Sequence, residues 1–298
     1  MTSVQLKHPG LMTRIRNLER MREISAVAVK HGFGYLLERH RLFGLLPRWH
    51  KRNMPPPAQR GRHVREMLEE LGPIFVKFGQ LLSTRSDIIP SDIVQELVRL
   101  QDRVPPFDFS VVQQVVEEDL GLRLERAFEH FDARPLASAS IGQVHTAVLP
   151  GGRKVVVKVQ RPEAARQVHR DVELLMQFAE LVEGRWDLGF SPIGLVEEFS
   201  RSMTRELDYL LEARNAVRFA TNFASDPGIR IPEIVQRYCS KRVLTMERLE
   251  GPTLNQPEVA ALPIERKKAL AETIAACWLK QILHDGFIHA DPHPANIV

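Results

Sequence analysis

The sequence predicts an α+β protein in two lobes, preceded by a helical extension. Three observations predict it. Apolar residues recur at helical spacing through about the first 130 positions, short β-rich runs replace them from about residue 134, and helical periodicity returns at the end, over about 264–284. At 298 residues, 44% of them hydrophobic and 26% charged, the chain has the length and composition to bury a substantial core.

The elements follow in order. Leu11, Ile15, Leu18, Met21 and Ile24 are spaced near one helical turn, within a helical stretch over 11–50. Asn53-Met54-Pro55-Pro56-Pro57 breaks it as a linker. A second helical region, about 60–130, is cut into short helices by Gly72-Pro73, Pro90 and Pro105-Pro106. His145–Leu149 and Lys154–Val159 flank Pro150-Gly151-Gly152 and predict a hairpin. Helices are expected over about 163–184 and 193–221, strands at Ile229–Ile234 and Arg242–Glu247, and a long helix ending near Gly286. The corresponding blocks are a basic helical segment (1–52), a helical extension (60–133), a small-sheet lobe with inserted helices (134–250) and the start of a second lobe (251–298). No internal repeat is present.

Charge is distributed unevenly. Residues 1–52 hold eleven Lys/Arg against three glutamates, a net of +8, and the rest of the chain nets −4. Basic N-terminal helices suit docking on anionic lipid, or simply a solvated face. The confinement of the excess to one end, with no DNA- or RNA-reading motif, argues against nucleic-acid binding. Cys239 and Cys277 form no C-x-x-C, so neither a disulfide framework nor a thiolate zinc site is expected, in keeping with a reducing compartment. No uncharged apolar run of membrane-spanning length and no secretory signal occur in these residues.

Three segments carry chemistry. Ala137-Ser138-Ala139-Ser140-Ile141-Gly142-Gln143-Val144 has the spacing of the G-x-G-x-x-G-x-V loop that covers nucleotide phosphates in kinases, with alanine at the first two glycine positions. Alanine lacks glycine's freedom at positive φ, so the loop is expected to hold nucleotide in an unusual way. Val155-Val156-Val157-Lys158 follows across the hairpin, where a strand lysine holds the α/β-phosphates. Glu206, Asp208 and Glu212 supply carboxylates on a helix; Glu206 and Glu212 are six residues apart, about 120° around the helix, so one partners Lys158 while another serves a different cation. His289-Ala290-Asp291-Pro292-His293-Pro294-Ala295-Asn296 matches the H-R-D-x-x-x-x-N loop, in which Asp orients or deprotonates the acceptor hydroxyl and Asn holds Mg²⁺. His289, Asp291 and His293 also alternate as a metal site on a strand would, but Pro292 and Pro294 oppose a paired strand.

Together these residues resemble the UbiB family of atypical kinase-like proteins over about 60–298. Lys77-Phe78-Gly79-Gln80 is similar to its K-x-G-Q signature, Pro135–His145 to its Ala-rich loop, Glu206-Leu207-Asp208 to its E-x-D motif, and His289–Asn296 to its H-x-D-P-H-P-x-N loop, with Ala295 where members usually carry glycine. The resemblance implies a protein-kinase-like fold with the helical extension over the active site. It implies Asp291 and Lys158 as catalytic residues and Asn296 as the Mg²⁺ ligand. ATP or ADP would lie against Ala137, Ser138, Ala139, Ser140, Gly142, Val144, Lys158, Glu212, Glu247 and Leu249. Lys77 and Gln80 would meet Glu206 and Asp208, with Glu212 as the lysine's partner. It further implies an ATPase or small-molecule kinase of ubiquinone biosynthesis. Such a protein lies peripheral to the cytoplasmic side of the inner membrane, acts on a membrane lipid or prenyl-quinone precursor alongside other ubiquinone-biosynthesis proteins, and does not phosphorylate proteins efficiently. The D-F-G aspartate expected just after Val298 is not reached, so a truncated C-terminal lobe and no turnover by these residues alone are expected. An aminoglycoside- or choline-kinase-like phosphotransferase shares the H-x-D-x-x-x-x-N loop but lacks the K-x-G-Q helix and Ala-rich loop; a catalytically dead scaffold is the other alternative.

Overall fold

The structure is a computed structural model that describes residues 11–33, 57–101, 104–183, 189–290 and 293–298. The expected helical stretch beyond Phe33, the Pro-rich break up to Pro56, and Asp291-Pro292 lie outside the described residues.

In chain order the helices are α1 (Leu11–Lys30), α2 (Pro57–Leu71), α3 (Pro73–Ser83), α4 (Ser91–Leu97), α5 (Phe109–Leu120) and α6 (Leu124–Ala127). Strands β1 (His130–Phe131), β2 (Ala137–Ser138), β3 (Gly142–Leu149) and β4 (Arg153–Gln160) come next. Then follow α7 (Ala164–Val182), α8 (Pro192–Glu206), α9 (Tyr209–Asn222), β5 (Val243–Glu247), α10 (Pro257–Ala260) and α11 (Ile264–Lys280). A π-turn, Gln281–Asp285, closes at Gly286 in the left-handed region (φ 56°).

These elements form two compact units that alternate along the chain. The first comprises Met1–Pro106, Ser138–Ile141 and Arg161–Leu207; the second comprises Phe107–Ala137, Gly142–Gln160 and Asp208–Val298. This division departs from the blocks expected from the sequence. The stretch from Phe107 leaves the helical extension because Val112, Val115 and Val116 of α5 pack on the sheet. The inserted helices α7 and α8 leave the sheet lobe because Ala164, Val168, Phe199 and Met203 pack against Ile74 of α3.

The first unit is helical. Its larger core joins Val27, Leu68, Leu71, Phe75, Val76, Leu97 and Leu100, all buried. The second unit is built on an antiparallel sheet in the order β1-β3-β4-β5, with β2 also pairing β3. The hairpin turns at Gly151 and Gly152, whose φ values of 93° and 81° few other residues adopt. Alternation puts Val155, Val157 and Val159, each 0% exposed, on the core face with Ala147, Leu149, Val243 and helices α5 and α6. On the opposite face Leu244 packs with Tyr209, Ala213 and Ile234.

Two expected elements differ. The single helix over 193–221 is two, because Asp208 adopts an extended conformation and its carboxylate accepts from the N–H groups of Leu210 (3.0 Å) and Leu211 (3.2 Å), starting α9 afresh. Ile229–Ile234 forms no strand beyond a single bridge from Ile234 to Met246, since Pro232 interrupts the run and has no N–H to donate. Helix α11 buries none of its side chains.

Candidate functional site

β4 is the central strand of the hairpin and its neighbour β5, so its backbone is fixed on both sides. Burial of Val157 and Val159 turns Lys158 to the other face, where register places it opposite Val144 of β3 and Leu244 of β5. Its Nζ lies 2.7 and 3.1 Å from the two carboxylate oxygens of Glu212 and 4.7 Å from the centre of the Tyr209 ring. Glu212 stands in the first turn of α9, where the helix dipole favours a negative charge. The ion pair is partly solvated, with Lys158 33% and Glu212 42% exposed. A pair of that kind contributes at most about 1 kcal/mol to stability. Its consequence is positional: a flexible four-carbon amine is held in one place above a rigid strand.

Tyr209 is itself wedged in place. It is buried, and a Cβ at Gly142 would stand 2.6 Å from its hydroxyl and 2.6 Å from the Val159 carbonyl oxygen. Gly142 is thus required for the approach of β3 to β4 and to the aromatic ring under Lys158.

α9 also reaches the HxDPHPxN segment. Seven residues after Glu212, about 10 Å along the helix, Phe219 packs on Phe287 (4.8 Å between ring centres) and His289 (6.0 Å), while Arg218 lies over the Phe287 ring. The His289 N–H donates to Gln281 Oε1 at 2.8 Å, and Lys280 bonds both carboxylate oxygens of Asp285 and the carbonyl of Asn222. The bond from Lys280, seconded by His284, holds the Asp285 carboxyl below the ordinary aspartate range. His293 Nδ1 accepts from the Ala295 N–H and caps a 3₁₀ turn, Pro294–Asn296, on which Asn296 is exposed. Asp291 lies outside the described residues.

Glu247 stands at the far end of β5, three residues beyond the position opposite Lys158, about 10 Å along the strand, and Leu249 follows two residues after it. With Arg153, Lys154, Arg230 and Arg248 they line a cleft of about 570 Å³. Glu247 is paired with Arg230, and Lys154 with Glu250 at 2.8 Å.

Lys77, Gln80 and Glu206 belong to the first unit, as does the loop segment Ser138–Ile141. Lys77 donates to Glu206 at 2.9 Å. Gln80 is bonded otherwise than the resemblance implies: its amide donates to the Leu100 carbonyl at 3.2 Å, and Asp208 serves as the cap of α9. Gly79 is a packing glycine, since a Cβ there would lie 2.5 Å from Leu100 Cδ1 and 2.7 Å from Leu68 Cδ1. In the Ala-rich loop, Ser138, Ala139 and Ser140 are followed by Ile141, and the segment is tied down by Arg161. The guanidinium donates to the Ala139 carbonyl (3.1 Å), Ser138 Oγ (2.9 Å) and the Pro105 carbonyl (2.7 Å), and the Arg161 N–H donates to the Ile141 carbonyl (2.8 Å). Ala137, Gly142 and Val144 belong to the second unit.

The ABC1 atypical kinase-like domain matches residues 99–298, two thirds of the sequence. The chain belongs to this ABC1 family. Among curated proteins it is 42% identical over 261 residues to "Probable protein kinase UbiB" of Marinobacter nauticus, covering 86% of this chain and 47% of that protein. It is likewise 42% identical over 255 residues to the protein of that name from Pseudomonas fluorescens, covering 84% and 47%. The chain therefore spans about half the length of the curated relatives it matches. A solved structure of Mycobacterium tuberculosis Rv3197, in complex with erythromycin, aligns with a TM-score of 0.57 and 28% identity, over 73% of this chain and 55% of that one. The fold is thus kinase-like, α+β, and the chain is of the UbiB type. The ABC1 match begins after the K-x-G-Q helix, so α2 and α3 rest on the UbiB relatives rather than on the domain. Arg161, which ties the loop down, belongs to none of the sequence motifs. The sequence marks it only as an arginine between a strand end and Pro162.

Proposed function

We propose that this chain is the nucleotide-binding part of a UbiB-type ATPase or small-molecule kinase that supports prenyl-quinone biosynthesis at a membrane. The Lys158–Glu212 pair carries the reading: a strand lysine held by a helix carboxylate is what α/β-phosphate binding requires. The residues present fit a magnesium nucleotide. The ammonium of Lys158 is partly open to solvent beside the half-buried Val144, and Asn296 is exposed on a turn that His293 caps. When bound, the nucleotide supplies the transferable phosphoryl group. Lys158 then holds its phosphates, Asn296 holds Mg²⁺, and Asp291 orients the attacking hydroxyl or water. Ala137, Gly142 and Val144 lie against the nucleotide, as do Glu247 at the end of β5 and Leu249 just beyond it. The membrane position rests on the basic segment 1–52 and on the relatives' type; among the described residues no helix is long and apolar enough to cross a membrane.

Isothermal calorimetry with Mg-ATP and Mg-ADP tests the reading. Saturable binding that requires Mg²⁺ and is lost in Lys158→Ala is expected. Binding that survives Lys158→Ala unchanged, or no binding by the wild type, removes the proposal.

A further inference from the structure

Two histidines meet where α1 ends beside α2, in the first unit. His31 follows directly on Lys30 and is buried, and His63 lies on α2. Glu66 and Glu70 are three and seven residues after His63, so all three share one face of that helix. Donor atoms of His31, His63 and Glu66 lie within 4.8 Å of one another, and the two rings meet edge to face with centres 6.2 Å apart.

Two independent observations bear on what this cluster holds. First, Nδ1 of His63 is buried and has no hydrogen-bond partner. A buried polar atom left so is costly and rare unless something unrecorded satisfies it. Second, the lone pair of His31 is set by Glu70. The Nε2 of His31 is 2.8 Å from Glu70 Oε2, and Lys30 Nζ is 2.8 Å from both oxygens of the same carboxylate. Lys30 can only donate, so its bonds to both oxygens fix the Glu70 carboxylate as an acceptor. Nε2 of His31 then donates to Glu70, so a metal bond from this ring falls to Nδ1. A carboxylate fixing the outer nitrogen of an imidazole in this way is the arrangement that orients metal-ligating histidines.

We propose that His31, His63 and Glu66 bind a zinc-class divalent cation, with Glu70 as the residue that positions His31. Two imidazole nitrogens and one carboxylate oxygen form a donor set for Zn²⁺, Co²⁺ or Ni²⁺; Mg²⁺ and Ca²⁺ prefer oxygen donors alone. Arg62 and Arg65 both approach Oε1 of Glu66, at 2.7 and 3.9 Å, which leaves Oε2 to ligate. Metal–ligand bonds of about 2.0–2.1 Å place neighbouring donors about 3.4 Å apart, so side-chain rotation closes the cluster around the ion. The bound ion ties the end of α1 to α2. It is separate from the Mg²⁺ proposed for Asn296, and its failure leaves the nucleotide reading untouched.

The test is titration of chelator-treated full chain with Co²⁺, read by visible d–d absorption, with Zn²⁺ as competitor. One equivalent of Co²⁺ should develop bands that Zn²⁺ abolishes, and Zn²⁺ but not Mg²⁺ should raise the melting temperature. His63→Ala should lose the bands, and Glu70→Gln should weaken binding by about 10–100-fold. Absence of stoichiometric bands in the wild type overturns the proposal whether or not the variants fold. So do bands that persist in folded His63→Ala, or thiolate charge-transfer bands that place the ion on a cysteine. Either outcome would leave His31 and Glu70 as a hydrogen-bonded pair only.

Discussion

Substituting alanine for Gly142 tests whether the site is assembled by close packing of β3 against the lysine strand. The new Cβ would meet the Val159 carbonyl oxygen and the Tyr209 hydroxyl, each at 2.6 Å. Val159 is in the central strand and 0% exposed, and Tyr209 is 1% exposed, so neither neighbour has room to withdraw. Overpacking of a filled core costs about 1–3 kcal/mol. At about 2–4 °C per kcal/mol for a chain approaching this size, the melting temperature should fall by roughly 2–12 °C. The ring of Tyr209 lies under Lys158 Nζ and opens the helix that carries Glu212. Nucleotide affinity should therefore fall together with stability. Scanning calorimetry and nucleotide titration of Gly142→Ala read both. In a Tyr209→Phe background, which removes the hydroxyl but not the carbonyl, the same substitution should cost less, a coupling of about 0.5 kcal/mol or more. A Gly142→Ala protein that melts with the wild type and binds nucleotide equally well would refute this account of how the site is held.

Glu212→Gln should leave the melting temperature nearly unchanged, since a partly solvated pair contributes at most about 1 kcal/mol, yet weaken nucleotide binding measurably. A large loss of stability with unaltered affinity would mean that the pair is structural. Acid should destabilise the second unit through His145, which is 0% exposed; its Nδ1–H donates to the Asp132 carbonyl at 2.7 Å and its Nε2 accepts from Gln143 at 2.9 Å. Burial holds its pKa below the usual histidine value. The unfolded chain takes up this proton near pH 6.5 and the folded chain only lower. Full stability is thus present above about pH 6.5 and is lost as pH falls toward and through the folded pKa. Urea midpoints between neutral and mildly acidic pH should show that slope in the wild type and a smaller one in His145→Gln; equal slopes would locate the effect elsewhere.

Local rules made the chemistry-bearing strands legible. Val155, Val157 and Val159 alternate with Lys158, and Gly151-Gly152 supplies the positive φ that the hairpin turn needs, so strand, turn and the side on which the lysine emerges all follow from adjacent residues. The division of the helices did not follow, because it depends on partners far away. Leu207-Asp208 continues a helical apolar pattern, and only a capping carboxylate bonded to Leu210 and Leu211 splits it. Ile229–Ile234 has strand composition, but with Pro232 it makes a single bridge. Gln80 shares a helix face with Lys77, which predicts a common target, yet its amide donates to the Leu100 carbonyl.

The same contrast explains what the motif letters encode. In K-x-G-Q, the lysine is the residue with an ionic partner, Glu206; the glycine is where α3 comes against Leu68 and Leu100, and Phe78 packs edge-on against Phe199 at 5.2 Å. In the loop preceding Lys158, Gly142 has a backbone and a phenol at the distance where a methyl would sit. Both glycines carry ordinary backbone angles, so conformational freedom is not what selects them; lack of volume is. A motif glycine of this kind reports the closeness of two elements, and its replacement acts on the neighbouring functional side chain through displacement. Helix α9 extends the same logic over a longer reach. Glu212 at its start holds Lys158 and Phe219 near its end holds Phe287 and His289, so one rigid rod sets the lysine and the beginning of the HxDPHPxN segment together.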